Sequence, residues 1–115
     1  MGLQSRRRRK YWPQQKADLM ADYKLAKQAK EDLIRIHNYG VYKFGMTQAD
    51  QYFENFFTHF EIISKNHESF EAVDYIRPGY RRCPCGADSI YYRLKEGIVE
   101  IIAIVGRQET NLVFN

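Results

Sequence analysis

Residues 47–63 read Thr-Gln-Ala-Asp-Gln-Tyr-Phe-Glu-Asn-Phe-Phe-Thr-His-Phe-Glu-Ile-Ile and carry the strongest helical pattern of the 115-residue chain. Apolar side chains recur there at intervals of four, three, four and three residues, at Ala49, Phe53, Phe56, Phe60 and Ile63. This spacing places all of them on one face of an α-helix. The pattern predicts an amphipathic helix that ends near residues 64–67 and buries an aromatic stripe against another layer.

A second helix is predicted before it. Apolar or small residues recur there at the same period, at Ala29, Leu33, Ile36, Gly40 and Phe44. Gly45 is a suitable end for this helix, because glycine reaches the backbone conformations that terminate helices. Two helices joined by Gly45-Met46 must fold back as an antiparallel hairpin. Upstream, residues 23–27 alternate, with Tyr23 and Leu25 on one side, which predicts a short first strand.

The last third of the sequence predicts strands. Residues 73–83 are mostly extended, residues 84–88 form a turn region, and residues 89–94 alternate as a strand. A tight reversal at 95–97 leads into residues 98–105, whose apolar character on both sides predicts a central strand. We therefore predict an α+β fold, in which a helical hairpin packs on a mostly antiparallel four-stranded sheet in the order β-α-α-β-β-β.

Positive charge is concentrated at the start of the chain. The sequence has 18 Lys and Arg against 14 Asp and Glu, a formal net charge of +4. Residues 1–19 hold six of the basic residues and one acidic residue, which leaves residues 20–115 at −1. We interpret 1–19 as a basic N-terminal extension, disordered or non-native, and 20–115 as a single folded domain. Direct nucleic-acid contact is expected only weakly, through this extension.

The sequence favours a cytoplasmic protein without a membrane partner. No apolar run approaches the roughly 18 to 20 residues that a membrane helix needs. No apolar stretch follows the basic residues 6–10, as it would in a secretory signal. Cys83 and Cys85 are two residues apart, and strain disfavours a disulfide across one intervening residue. Reduced thiols in the cytoplasm are the expected state.

The spacing of potential ligands and nucleophiles points to no metal site, no cofactor and no catalytic residue. Cys83 and Cys85 lack a second cysteine pair, and the three histidines are not spaced as a ligand set. A glycine-rich phosphate loop and a G-x-S-x-G motif are both absent from the sequence. These observations favour a protein that acts by binding.

Arginine and tyrosine residues gather on the predicted C-terminal strands. They are Arg77, Tyr80, Arg81, Arg82, Tyr91, Tyr92, Arg93 and Arg107. Strand alternation places Tyr91 and Arg93 on one face and Tyr92 on the other. Such a face can bind RNA through phosphates and stacked bases, or cleave it by proton transfer. It can equally anchor a protein partner, or form a solvated surface whose arginine stems pack on the sheet.

A series of short segments follows a known order and spacing. They are Tyr23-Lys24-Leu25 with Ala29, Asp32-Leu33, Ile36 and Tyr39; Gln48-Ala49; Arg77 to Arg82; Gly86; Ile90 to Arg93; Ile98 with Ile101-Ile102; and Gly106 to Glu109. Together they resemble the ParE-type toxins of bacterial type II toxin–antitoxin systems. The resemblance implies the RelE/ParE toxin fold, a cognate antitoxin as partner, and DNA gyrase as a target that is poisoned by binding. Apart from the weak contact through the basic extension, nucleic acid is expected as a partner only indirectly, through the antitoxin.

A protein of the same toxin fold with another target, or with none, is one alternative. The main alternative is a RelE-like toxin that cuts mRNA on the ribosome, with basic residues and a late tyrosine as acid–base groups. After Arg107 the chain reads Gln-Glu-Thr-Asn-Leu-Val-Phe-Asn and has no Tyr, His, Lys or Arg. General acid–base catalysis needs a titratable group within reach, so this segment disfavours the endonuclease. The alternative stays open because Tyr91, Tyr92 and Arg93 can take over those roles.

Two sets of candidate binding residues follow from the surface chemistry and the resemblance. The candidates for target or antitoxin binding are Arg77, Tyr80, Arg81, Arg82, Tyr91, Arg93 and Arg107. An amphipathic antitoxin helix is expected in a groove of the hairpin, with Leu33, Ile36, Tyr39 and Phe53 as candidates. Because antitoxins of this kind are usually acidic, charge reversal at Arg81 together with Arg82 is predicted to weaken the complex or the toxicity without unfolding the domain.

Overall fold

A computed structural model describes residues 23–106. The predicted extension 1–19 and the candidate Arg107 lie outside these residues, so the boundary between 19 and 20 stays a prediction. The elements are β1 (Tyr23–Leu25), α1 (Lys27–Phe44), α2 (Met46–Lys65), a 3-10 turn (His67–Ser69), β2 (Glu71–Ala72), β3 (Arg81–Cys85), β4 (Asp88–Lys95) and β5 (Ile98–Gly106). Within the described residues, no helix has the length and apolar character that crossing a membrane requires.

The strands form one mixed sheet in the order β1-β5-β4-β3-β2. The pairing of β1 with β5 is parallel, and the other pairings are antiparallel. The predicted α+β fold and the central position of the last strand are confirmed. The predicted number of strands is wrong, because β2 adds a fifth strand to the sheet. Both residues of β2 are exposed, and two exposed residues give no alternation that could signal a strand.

Strand β3 differs in its bounds from the predicted segment. Residues 73–80 form a loop, and the strand begins only at Arg81. At its other end β3 continues through the predicted turn region to Cys85, so that only Gly86 and Ala87 connect it to β4. Pro84 is accommodated because β2 pairs with β3 only at Arg81 and Arg82. Beyond β2, β3 is an edge strand, where a residue without an N–H is tolerated.

The helices form the predicted antiparallel hairpin. The chain reverses at Gly45, whose φ of 92° favours glycine. A Cβ on Gly40 would lie 3.3 Å from the Cβ of Ala49, so the helices cross closely at this point. The whole predicted stripe of α2 is buried. With side chains of α1 and of the sheet, such as Leu33 and Ile101, it forms the main core between the hairpin and one face of the sheet.

Helix α1 also closes one edge of the sheet. Strand β1 pairs with β5 only as far as Ile101, which leaves the backbone of Ile104 beyond the end of the β1 ladder. The buried carboxylate of Asp32 accepts a hydrogen bond from the Ile104 N–H, at 2.9 Å. Arg35 donates to the Ile104 carbonyl at 3.4 Å. Two side chains of α1 therefore take the place of a neighbouring strand.

Candidate interaction face of the sheet

The face of the sheet turned away from the helices carries three of the predicted arginine and tyrosine residues, Arg82, Tyr91 and Arg93. Arg82 on β3 lies directly opposite Tyr91 on β4, and Arg93 on β4 lies opposite Glu100 on β5. Residues that are directly opposite share a face, as do residues two apart along a strand. We call this surface the open face. Its residues are Glu71, Arg82, Ser89, Tyr91, Arg93 and Glu100.

The loop 73–80 covers part of the open face. Val73 and Tyr80 of the loop are buried against Tyr91, with Ile102 and Val105 of β5 packed beside them. The register of β4 and β5 shifts between Tyr91 and Tyr92, which makes a bulge in this region of the sheet. Burial raises the pKa of the Tyr91 hydroxyl above its ordinary value. Tyr91 is therefore a core residue of a second, smaller cluster.

The arginines of the open face contact groups of the same chain. Arg82 donates from Nε to the Glu71 carboxylate at 3.1 Å and from Nη1 to the Ser89 hydroxyl at 2.9 Å. Arg93 donates to the Glu100 carboxylate at 2.9 Å. Ion pairs that are partly exposed add little to stability. A partner that supplies carboxylates can therefore replace these contacts at small cost to the fold.

A cavity opens at the margin of the open face. Its volume is about 330 Å³, and its walls are Ala26, Gln28, Arg77, Tyr80, Arg93, Glu100 and Ile102. The guanidinium of Arg77 lies 5.9 Å from the centroid of the Tyr80 ring, within the range of a cation–π contact. The cavity thus brings the candidates Arg77, Tyr80 and Arg93 together in one depression.

Arg81 lies on the other face of the sheet. Its Nη1 donates to the Phe70 carbonyl at 2.7 Å and to the Glu68 carbonyl at 3.4 Å. Tyr92, directly opposite Arg81, donates from its hydroxyl to the His67 carbonyl at 2.6 Å. Both side chains hold the connection between α2 and β2 against the sheet. The structure therefore separates Arg81 from Arg82, although the two are adjacent in sequence.

Comparison with known proteins identifies the family. The model of a family described as the ParE toxin of the type II toxin–antitoxin system parDE matches residues 23–111. The chain belongs to the ParE toxin family. Toxin ParE1 of Caulobacter vibrioides is 33% identical over 87 residues, which are 75% of this chain and 88% of that protein. Toxin ParE1 of Mycobacterium tuberculosis is 29% identical over 84 residues, which are 72% of this chain and 86% of that protein.

A solved structure agrees with the fold. A chain of the chromosomal ParDE toxin–antitoxin system from P. aeruginosa matches with a TM-score of 0.67 and 19% sequence identity. The match covers 76% of this chain and 96% of that chain. At this level of identity it supports the two-helix α+β architecture alone.

The four groove candidates of this ParE-family chain do not share one environment. Leu33 is fully buried and Phe53 is 8% exposed, and both lie in the main core. Ile36 is partly buried against that core. Tyr39 is 58% exposed and is the one candidate with most of its surface accessible. Tyr42, at 87% exposure, lies off the apolar stripe, and the sequence analysis therefore missed it.

The cysteines of this family member are core residues. Both thiols are buried, and burial raises the pKa of Cys83 to about 11 and that of Cys85 to about 12. The Cys85 sulfur lies 3.6 Å from His59 Nδ1, but a thiol with so high a pKa is protonated at neutral pH and is a poor nucleophile. Among residues 23–106, no group of three or more His, Cys, Asp and Glu side chains is placed to hold a metal ion.

Tyr52 of α2 is a further residue that the sequence analysis missed. Its hydroxyl donates to the Asp88 carboxylate at 2.7 Å and accepts from the Ala87 N–H at 3.1 Å. Burial and then the hydrogen bond to Asp88 raise the pKa of Tyr52. Its position next to Phe53, outside the apolar stripe, carries no signal of this contact. Tyr52 fixes the turn between β3 and β4 to the hairpin.

Proposed function

We propose that this ParE-family toxin acts in the cytoplasm by binding and poisoning DNA gyrase, and that a cognate antitoxin neutralises it. The observation that carries the proposal is the composition of the open face. Its arginines are held in partly exposed pairs, at Arg82 and Arg93, whereas its tyrosine, Tyr91, is buried. Exposed, positioned guanidinium groups suit recognition of a carboxylate-bearing protein surface.

The buried tyrosines argue against the RelE-like alternative. Tyr92 is 1% exposed and donates its hydroxyl to the backbone on the side of the helices. Tyr91 lies beneath the loop 73–80. Burial raises the pKa of both hydroxyls, and an efficient acid or base needs a pKa near the working pH and access to the substrate. Neither tyrosine fits the role of a general acid or base in RNA cleavage.

The open face also suits an acidic antitoxin segment. Arg82 and Arg93, with Arg77 at the margin of this face, carry three positive charges against the carboxylates of Glu71 and Glu100. An antitoxin carboxylate that reaches Arg82 or Arg93 gains a charge-assisted hydrogen bond. Tyr39 offers an exposed aromatic side chain on the hairpin for the apolar side of the same partner. Arg81 is left out of this surface by its contacts with backbone carbonyls.

The deciding experiment measures gyrase activity with the purified full chain. We expect inhibition of DNA supercoiling and accumulation of cleaved DNA, both reversed when the antitoxin encoded beside it is added in equimolar amount. Substitution of Lys65, an exposed lysine on α2 and therefore on the helical side of the sheet, is the matched control for substitution of Arg82. Folded toxin that leaves gyrase unaffected at high excess but causes cleavage of ribosome-bound mRNA would overturn the gyrase proposal in favour of the RelE-like activity.

A further inference from the structure

The cavity at the margin of the open face is positively charged, although the described part of the chain is neutral. Of the 18 basic and 14 acidic residues of the sequence, 7 and 3 lie outside residues 23–106, which leaves equal numbers within them. The cavity wall carries two guanidinium groups, Arg77 and Arg93, and one carboxylate, Glu100. Lys24 of β1 lies directly opposite Glu100 and therefore on the same face of the sheet. The cavity and its edge thus have a local charge of +2.

The guanidinium of Arg93 has donors available for a ligand. Its Nε donates to the Glu100 carboxylate at 2.9 Å, and neither of its terminal amino groups has a partner within residues 23–106. The side chain is 37% exposed, so these amino groups are accessible while the pair with Glu100 holds them in place. They form a planar fork whose spacing fits two oxygens of one oxyanion.

Arg77 brings a second guanidinium to the cavity from the loop 73–80. This guanidinium lies 5.9 Å from the centroid of the Tyr80 ring, as in a cation–π contact. Tyr80 is 6% exposed and is packed with Val73 and Tyr91 in the smaller cluster. A buried ring therefore positions Arg77 at the cavity. Arginines that are fixed in this way suit recognition of phosphate and carboxylate groups.

The charge of the cavity favours a phosphate monoester over a carboxylate. A carboxylate has two oxygens and a single negative charge, whereas a phosphate monoester has three terminal oxygens and a charge of about −1.5 to −2 at neutral pH. The monoester matches a local charge of +2 and can accept from both guanidinium groups at once. The cavity volume of about 330 Å³ is at the small end of the range for ligand pockets, which suits a ligand of the size of one sugar phosphate.

The remaining walls suit a sugar better than a nucleic-acid base. Ala26 and Ile102 supply apolar surface, and Gln28 supplies a polar amide. Helix α1 begins at this wall, and its first turn has no acidic residue that would repel an anion. Tyr80 is the aromatic residue of the wall, and its burial leaves no open ring face on which a base stacks.

We propose that this cavity is a binding site for a phosphate monoester of a single sugar. The phosphate lies between Arg77 and Arg93, and the sugar lies against Ala26 and Ile102. This chemical group occurs in free sugar phosphates and at the phosphorylated end of a nucleic-acid strand. The inference does not depend on the identity of the toxin's target.

The test is isothermal titration calorimetry of the full chain with ribose 5-phosphate at low ionic strength. We expect saturable binding of this probe and none of ribose, which lacks the phosphate. Arg77→Gln and Arg93→Gln should each weaken binding about tenfold, because each removes charged donors from the phosphate. Lys65→Gln, which removes the same charge from α2, is the matched control and should leave the affinity unchanged. Circular dichroism checks that the variants fold.

A short DNA duplex, prepared with a 5′-phosphate and with a 5′-hydroxyl, distinguishes the two sources of the group. Tighter binding of the phosphorylated duplex, lost in Arg77→Gln and Arg93→Gln, would extend the site to strand ends. Equal binding of the two duplexes, insensitive to both substitutions, would restrict the site to free sugar phosphates.

The proposal would be overturned if neither ribose 5-phosphate nor the phosphorylated end binds in a way that depends on Arg77 and Arg93. Ribose that binds as tightly as ribose 5-phosphate would also overturn it. So would a 5′-hydroxyl duplex whose binding depends on both arginines as strongly as that of the phosphorylated duplex, since the surface would then bind the phosphodiester backbone.

Discussion

The carboxylate of Asp32 on α1 lies 2.9 Å from the backbone nitrogen of Ile104 on β5 and accepts its hydrogen bond. Its other oxygen accepts hydrogen bonds from Gln28 at 3.0 Å and from Arg35 at 3.2 Å. Asp32 is 6% exposed, so each of these contacts is partly or fully withdrawn from water. A buried carboxylate thus joins the first helix to the central strand where the β1 ladder has ended.

Replacement of Asp32 by alanine is expected to destabilise the fold. The Ile104 N–H would lose its partner in a buried position, which costs about 1–3 kcal/mol. Urea unfolding followed by circular dichroism measures the change in the free energy of unfolding. Glu31→Ala, at the adjacent exposed position, is the control and should change it by less than about 0.5 kcal/mol. Equal effects of the two substitutions would show that the Asp32 contact contributes nothing specific.

The hairpin was predictable because its apolar stripes have a helical period and Gly45 separates them. The contacts of Asp32, Tyr52 and Arg81 were not, since each reaches a backbone group or a turn supplied by a distant segment. For the open face, alternation predicted that Tyr91 and Arg93 share a side. It did not predict that the loop 73–80 would bury Tyr91, because turn residues carry no periodic signal.

Arg81 and Arg82 should respond differently to charge reversal. Arg81→Glu removes the guanidinium that donates hydrogen bonds to the Phe70 and Glu68 carbonyls. A hydrogen bond from a charged group contributes about 1.5–3 kcal/mol to stability. Arg82→Glu breaks an exposed pair with Glu71 worth about 0.2–1 kcal/mol. It also removes a donor to the Ser89 hydroxyl, but this hydroxyl can itself donate to the new carboxylate. Thermal unfolding measures both effects. Charge reversal at both positions together, as the sequence suggests, would therefore mix loss of stability with loss of binding.

Arg82→Glu and Arg93→Glu are the cleaner probes of antitoxin binding. Each places a negative charge where an acidic segment is proposed to bind, and we expect affinity to fall about tenfold, or about 1.4 kcal/mol. Titration calorimetry with the purified antitoxin measures this change, and Lys65→Glu, on α2, is the charge-matched control. Affinity that stays the same in both variants, with normal circular dichroism, would exclude the open face from the antitoxin interface.

Gly86→Ala should destabilise the turn between β3 and β4. A Cβ at this position would lie 2.5 Å from the Tyr52 ring, and the φ of 60° is unfavourable for a residue with a side chain. Gly97→Ala is the control, since its φ of 80° carries the same kind of strain while nothing lies within 4 Å of the added Cβ. Overpacking costs about 1–3 kcal/mol. In urea unfolding, Gly86→Ala should therefore lower the free energy of unfolding by about that much more than Gly97→Ala does.

A double-mutant cycle separates the clash from the backbone strain. In the background Tyr52→Ala, the added Cβ of Gly86→Ala has no ring to meet, and the extra cost should disappear. If Gly86→Ala and Gly97→Ala are equally destabilising in the unsubstituted chain, the close contact with Tyr52 does not constrain the turn.

Stability is expected to fall as the pH rises above about 8.5, the pKa of a thiol in an unfolded chain. Burial raises the pKa of Cys83 to about 11 and that of Cys85 to about 12 in the folded protein. The folded state therefore keeps protons that the unfolded state releases.

Each thiol should lower the free energy of unfolding by up to about 1.4 kcal/mol per pH unit between these limits. Urea unfolding at pH 7.5 and 9.5, in the presence of a reductant, measures this slope. The double variant C83A/C85A should lose less stability over the same interval than the unsubstituted chain, because it has no thiols to ionise. Parallel pH profiles for the two proteins would mean that the thiols ionise alike in the folded and unfolded states, contrary to their burial.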